Sequence, residues 1–494
     1  MFSTESIRKD RWLLATCMAL SLIYLIPFAI GGAYSIDDWL RSDTGNSGWE
    51  GNGRPVASII MAALSLLPSG LSFFGDNVIQ DTYPFSMFFG GAVMVMAGYA
   101  LKELLEVKSA IIAVIVILLP LTSPYWIGNL EFRHDSLIMS IAFFMAIFSA
   151  SLFKRNSETC IAWNVLSSIC LLTFMLMIYQ AALNVYMSVI VIIVAMDIKN
   201  KANTKEIIKT VFGSIIAMCF AYAIYSFIID NFVSLSDYTK SHSGIIHLSS
   251  DSIDTLKGNI SGFISLFSDL NHGVYGLIVL ILSASSIAFF MFRHRNIGSV
   301  RSAFLVLSVP ATLFLSAGVL ILLEYPVITG RVMMGFGVFM CFIVATCFSD
   351  KIGIYAGGAI IILNFSFGSI TANAISDQQR YDRFMAGQIV SNLYKSGFMN
   401  GDIIHLNGIT STPEQALRSM KNTPLLRGYV FSAFSNANFK YSLLRQYGIN
   451  SKKPSLEQTS VFNKIIANKQ PVFRDNSMDI FKFGNEYSVL LKRK

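Results

Sequence analysis

Long apolar runs, each closed by a short cluster of charge, set the pattern of this chain. One bilayer crossing takes about 20 mainly apolar residues. About eleven runs approach that length: 12–33, 84–101, 110–125, 136–153, 160–180, 183–196, 207–229, 273–292, 303–323, 332–349 and 352–372. A further run, 56–74, is apolar enough to span but is interrupted by Pro68, Ser69 and Gly70. That interruption suits two short helices lying along the membrane surface better than one clean span.

The charges between the runs choose between these readings. Arg8, Lys9 and Arg11 precede the first run, and a basic flank stays cytoplasmic. If 56–74 lies in the interface, fifteen Lys and Arg residues fall on the cytoplasmic side. Six remain outside: Arg41, Arg54, Arg133, Lys240, Lys257 and Arg331. If 56–74 spans, every later loop inverts. The interfacial reading is the one that sorts the charges. It gives eleven crossings with the N-terminus inside, outer loops at 34–83, 126–135, 230–272 and 324–331, and an outer tail.

Beyond residue 372 the pattern changes. Helical periodicity over 377–395, with Asp377, Arg380 and Arg383 on its polar face, is followed by a strand pattern at 402–406. Residues 414–420 and 458–468 read as helices. Residues 478–483 and 487–491 read as two strands joined by a Gly484-Asn485 turn. The expected architecture is an α-helical polytopic membrane domain, 1–372, followed by a small soluble α/β domain, 373–494, on the outer side.

Composition narrows the class. Charged residues make up 14% of the 494 and hydrophobic residues 53%, with a mean hydropathy of +0.56. An average soluble domain carries about 25% charge, so disorder and a wholly soluble enzyme are excluded. The first run is too long, and followed by too many others, to be a cleaved signal peptide. The net charge of +8 belongs to the tail, where 17 Lys and Arg face 8 Asp and Glu. The basic rule applies to short loops, and long domains translocate largely regardless of charge. The six cysteines sit in or beside apolar runs with no metal-ligand spacing, so packing is their expected role.

Acidic residues are scarce, which makes their positions informative. Asp37 and Asp38 lie just beyond the first run, beside Trp39 and Arg41. A lowered dielectric at the membrane surface raises a carboxylate pKa and makes one of the pair usable as a general base. Trp39 suits interfacial anchoring, and a solvated helix cap is the plainer reading of the pair. The short loop 126–135 holds Glu131, Arg133, His134 and Asp135 between apolar runs, where such groups need partners or water. His134 has no second histidine at ligand spacing, so no metal site is expected. In 324–331, beside Tyr325, a single arginine, Arg331, suits a phosphate, because its fork bonds two oxygens at once. Lys240 in the long outer loop suits a lipid headgroup.

The order of these features resembles the GT-C class of integral-membrane glycosyltransferases: an acidic pair after the first span, Gly53-Arg54-Pro55 leading a surface helix, then Pro120 and Arg133-His134-Asp135 entering a span. Within that class three stretches resemble the phage-encoded, serotype-converting O-antigen glucosyltransferases. They are Asp37-Asp38-Trp39 with Gly53-Arg54-Pro55, the stretch from Asn129 to Asp135, and the tail from Arg380-Tyr381-Asp382-Arg383. The resemblance implies an inverting hexosyltransferase of the bacterial inner membrane. Its donor would be undecaprenyl-phosphate glucose and its acceptor a sugar hydroxyl of O-antigen, at the periplasmic face. It would work in the lipid bilayer beside a polyprenyl-phosphate glucosyltransferase and a flippase. Metal dependence varies across that class; no cofactor or metal is expected here because the loops demand no cation, and no nucleic-acid partner is expected. Carried over by position, Asp37 or Asp38 deprotonates the acceptor, and Glu131 and Asp135 orient substrates. Arg331, with Arg133, Arg54 and Lys240, meets the donor phosphate, and Trp39, Arg41, His134 and Tyr325 help to orient the sugars.

Two other classes compete. A transporter places ionisable residues near the bilayer midplane, whereas here most charges sit at span ends. A lipid-linked glycan polymerase or ligase also exposes arginines outside, but the resemblance gives it no acidic pair after the first span.

Overall fold

A computed structural model describes residues 4–67, 72, 75, 77–154, 160–247, 252–451 and 453–492. The interruption at Pro68, Ser69 and Gly70 lies outside the described residues. The chain divides into two compact units, one made of residues 1–30 and 47–369, the other of residues 31–46 and 370–494.

The first unit is helical. Among the described residues of the whole chain, seven helices are long and apolar enough to cross a membrane, and shorter apolar helices lie between them. Arg11–Gly31 and Phe85–Leu104 each rise about 30 Å at 1.5 Å per residue, which matches the hydrocarbon thickness. Pro55–Leu64 rises about 15 Å by the same measure, too short to cross alone. At the centre Phe85–Leu104 packs between Ala110–Thr122 and Ser136–Ser151, and Gly335–Ala345 closes on Ala110–Thr122. Gly335–Ala345 and Ala110–Thr122 are apolar almost all round and nearly wholly buried, as the central elements of a bundle must be. The helices Thr204–Phe232 and Gly273–Arg293 keep most of their apolar side chains exposed, as a lipid-facing helix does.

Polar residues gather at the two ends of this bundle. At one end Lys102 Nζ lies 2.7 Å from Asp10 and 2.6 Å from Glu103. There Lys154 Nζ donates to Glu103 O, and Asn200 donates to Glu106. The Asp10–Lys102 pair holds the segment before the first apolar helix and the last turn of Phe85–Leu104 at the same end of the bundle. The other end carries the candidate site.

Several expected boundaries move. The run 303–323 is not one helix: Ser299–Phe314 stops, and a 3-10 turn, Gly318–Leu322, follows. Asn184 causes the break, because its side chain donates to Ala317 O and accepts from Val319 N, replacing helical bonds. The run 332–349 is helical only over Gly335–Ala345. Runs 352–372 and 377–395 instead form one continuous helix, Asp350–Lys395, since the residues joining them hold no Pro or Gly. The long loop 230–272 contains a 19-residue helix, Ser252–Leu270.

The second unit holds a four-stranded sheet in the order β1-β4-β3-β2. Its strands are β1 Ile403–Asn407, β2 Phe473–Arg474, β3 Met478–Phe483 and β4 Glu486–Leu491. β1 runs parallel to β4, and β2, β3 and β4 pair antiparallel. Alternation aims Ile404, Leu406, Met478, Ile480, Tyr487 and Val489 into one core. The sheet is covered by the last part of Asp350–Lys395 and by Ala437–Gln446, a helix the periodicity did not announce.

Candidate active site

Short backbone turns at one end of the first unit bring six separated segments together. Trp49–Arg54 folds on itself: Asn52, Gly53 and Arg54 N–H bond to Trp49 O, Glu50 O and Trp49 O. Glu50 is buried and organises this turn, accepting from Ser47 Oγ at 2.5 Å, from Ser58 Oγ, and from Asn77 N and Nδ2 at 3.2 and 3.1 Å. The start of the outer helix Asp237–Ser243 is tied to the same turn, with Ser236 N donating to Gly51 O and Thr239 Oγ1 to Asn52 Oδ1.

The centre of the cluster is Asp135, whose side chain is 1% exposed. One oxygen accepts from Trp49 Nε1 at 2.8 Å and the other from Arg331 Nη2 at 3.2 Å. Arg331 keeps 20% of its side chain exposed, and its guanidinium lies over the Phe132 ring at 4.4 Å and the Tyr179 ring at 6.0 Å. The backbone beneath it is held close: Asn129 Nδ2 donates to Arg331 O, and a Cβ on Gly128 would lie 2.8 Å from Arg331 N. Only glycine permits that approach.

Arg54 lies against the same tyrosine, with its guanidinium 4.6 Å from the Tyr179 ring. Its Nε donates to Gln180 Oε1 at 3.2 Å. Burial is the main influence pulling this guanidinium below the usual arginine range; Tyr179 and Asp135 oppose it, and the like charge of Arg331 adds to it. Two guanidiniums, Arg54 and Arg331, thus stand among aromatic walls, with Asp135 bonded to Arg331. Two buried polar atoms nearby, Asn129 Oδ1 and Thr329 Oγ1, have no hydrogen-bond partner among the described residues.

The remaining expected residues fall at varying distances from this centre. Arg133 pairs with Asp81 and stacks on Tyr83 at 4.3 Å, so its charge is already balanced. Glu131 and His134 are buried in the same short loop. Tyr325 is 60% exposed, and its carbonyl meets His242 Nδ1 at 2.7 Å. Lys240 is exposed on Asp237–Ser243. Among the described residues no group of three or more His, Cys, Asp or Glu side chains is arranged to hold a metal ion.

Asp37, Asp38, Trp39 and Arg41 belong to the second unit, on the helix Asp37–Thr44. Asp38 is fully buried and accepts from Ser35 N at 3.0 Å. Asp37 is half exposed, 3.7 Å from Arg41. Trp39 is not an interfacial anchor: it is 2% exposed, stacked on Tyr34 at 4.9 Å within the core of that unit, because its ring completes an apolar cluster with Phe434 and Leu443.

Sequence reasoning missed Trp49, Tyr179 and Gln180. The last two sit in the tight turn between Ile161–Leu176 and Leu183–Lys199. A Tyr-Gln pair between two apolar runs was the available signal, since a polar residue at a span end needs a partner.

The family model for glucosyl transferase GtrII matches residues 27–342 of this chain. A protein of Salmonella phage P22, described as "Uncharacterized 55.3 kDa protein in gtrB 5'region", is 28% identical over 403 residues, covering 79% of this chain and 80% of that relative. No solved structure matches.

Proposed function

The chain belongs to the glucosyl transferase GtrII family, and from that premise we propose that it moves glucose from a polyprenyl-phosphate donor, undecaprenyl-phosphate glucose, to a sugar hydroxyl of O-antigen. The observation that carries the reading is the pair of guanidiniums, Arg54 and Arg331, sharing the Tyr179 ring with one carboxylate between them. Two guanidiniums so placed suit a leaving phosphate. Arginine offers the forked donors that phosphate oxygens accept. The partnerless Asn129 Oδ1 and Thr329 Oγ1 suit the hydroxyls of a sugar.

In this mechanism a carboxylate takes the proton from the acceptor hydroxyl. The oxygen attacks C1 of glucose from the face opposite the phosphate, and the bond from C1 to the phosphate oxygen breaks. Polyprenyl phosphate leaves, and the configuration at C1 inverts. Arg54 and Arg331 bind the phosphate by the charge it already carries in the donor and hold it as it leaves. Asp135, with both oxygens engaged, holds Arg331 in place. The resemblance, and not a shared site, assigns the base to Asp37 or Asp38 of the second unit, and the exposure of Asp37 favours it. Glu131, His134, Arg41 and Tyr325 are assigned to orienting the sugars, and Lys240 to the headgroup region.

The setting belongs to the same proposal. The chain crosses the bacterial inner membrane about eleven times by hydropathy, with the N-terminus in the cytoplasm. The tail from residue 373 lies in the periplasm, where O-antigen is modified and serotype changes. A polyprenyl-phosphate glucosyltransferase and a flippase would make and deliver the donor.

The test uses membranes carrying the wild type, Asp37→Asn or Asp38→Asn, supplied with labelled polyprenyl-phosphate glucose and O-antigen. Wild-type transfer, abolished in Asp37→Asn while that protein still accumulates, is the expected result. Loss in Asp38→Asn alone moves the base to Asp38. A wild type that transfers nothing from any polyprenyl donor ends the reading.

A further inference from the structure

Arg54 is placed by hydrogen bonds that reach it from two other parts of the first unit. Gln180 Oε1 accepts from Arg54 Nε. Gln180 Nε2 donates to Tyr225 Oη at 2.7 Å and faces Gly53 O and Asn52 O at 3.2 and 3.3 Å. The Tyr225 hydroxyl in turn donates to Gly53 O at 3.2 Å. Donors and acceptors match in one orientation of the Gln180 amide only. Reversed, its NH2 would oppose the Arg54 N–H, and its oxygen would oppose two carbonyls.

The turn is shaped to admit this arrangement. Gly53 has φ +70°, and a Cβ there would lie 2.7 Å from the Tyr225 hydroxyl. Gly53 therefore allows Tyr225, from the helix Thr204–Phe232, to lie directly on the backbone that carries Arg54. Among the described residues the Nη atoms of Arg54 have no hydrogen-bond partner, while Nε is held by Gln180 and one face by Tyr179. The fork is thus clamped at its inner nitrogen and open at its outer two.

We propose that Gln180 and Tyr225 are positioning residues that hold Arg54 with its two outer nitrogens presented to the phosphate of the lipid-linked donor. This rests on the phosphate role proposed above for Arg54. Neither residue meets the substrate; both act through the arginine. Their loss leaves the charge in place but lets the fork rotate, so donor binding weakens more than turnover.

The experiment is a double-mutant cycle on the full chain in membranes, measuring KM and kcat for polyprenyl-phosphate glucose. Gln180→Ala removes one bond to a charged group, which corresponds to a rise in donor KM of about tenfold or more. In an Arg54→Ala background the same substitution is expected to leave KM unchanged, because the group it positions is gone. Gln180→Glu is not expected to rescue, since a carboxylate would neutralise Arg54 and face the carbonyls of Asn52 and Gly53. Tyr225→Phe keeps the ring and loses only the hydroxyl; it repeats the cycle and carries the test alone if Gln180→Ala fails to accumulate. A KM effect that persists in the Arg54→Ala background, or no KM effect in an active protein, overturns the positioning role. A wild type that transfers nothing from the donor overturns the phosphate reading beneath it, so the two failures are distinguishable.

Discussion

Buried carboxylates do different work in the two units, and hydrogen bonds tell them apart. Asp135 and Glu50 hold a site together, whereas Asp382 holds the second unit. Asp382 is fully buried and accepts from Gln378 Nε2, Thr410 Oγ1, Ser432 Oγ and Ala433 N at 2.7 to 3.0 Å. Burial raises its pKa above the ordinary aspartate value, and those four bonds only partly oppose the rise. A raised folded value means that the native state holds a proton the unfolded chain has lost. The stability contributed by the group is then largest at low pH and falls as pH rises through the folded value. Asp382→Ala strands three donors and a backbone N–H, and is expected to cost about 1.5–3 kcal/mol. The gap to wild type should narrow as pH rises above the ordinary aspartate value. Hydrogen exchange of Ala433 in the full chain reads both; a gap that widens with pH contradicts the assignment. The sequence showed Arg54, Arg331 and Asp135 as candidates because charge is rare among apolar runs. It could not show that Trp49 and Tyr179 join them, since an aromatic residue carries no sign of which distant loop it will meet.

At the scale of elements, apolar length announced most of the helices and polar punctuation placed their ends. The paired strands β3 and β4 were legible from alternation and the Gly484-Asn485 turn. β1 was legible as a strand, but its parallel pairing with β4 was not, because that partner lies some eighty residues away in sequence. The break at Gly318–Leu322 escaped detection for a similar reason: its cause, Asn184, lies on another helix. The ambiguity over 56–74 turns on a single contact. With Asp10 and Lys102 paired at one end, reporters fused after Asn203 and after Lys494 are expected to read cytoplasmic and periplasmic respectively. A periplasmic reading after Asn203 would mean that 56–74 spans, and matching readings at both positions would refute the proposed number of later crossings.

For the whole molecule, seven membrane-length helices among the described residues and membership in the GtrII family make a membrane-embedded glucosyltransferase. The proposed lipid-linked donor is supported by the two arginines that gather at one end of the bundle, and the proposed inversion by the family resemblance with a carboxylate as base. Both belong to one claim, that the protein takes its sugar from a polyprenyl phosphate in the membrane rather than from a soluble nucleotide. The most direct measurement offers purified wild-type protein polyprenyl-phosphate glucose and UDP-glucose in parallel with O-antigen, and reads the anomeric configuration of the product by NMR. Transfer from the lipid donor alone, with the anomer opposite to that of the donor, is the predicted result. Transfer from UDP-glucose, or a product that keeps the donor's configuration, would contradict it.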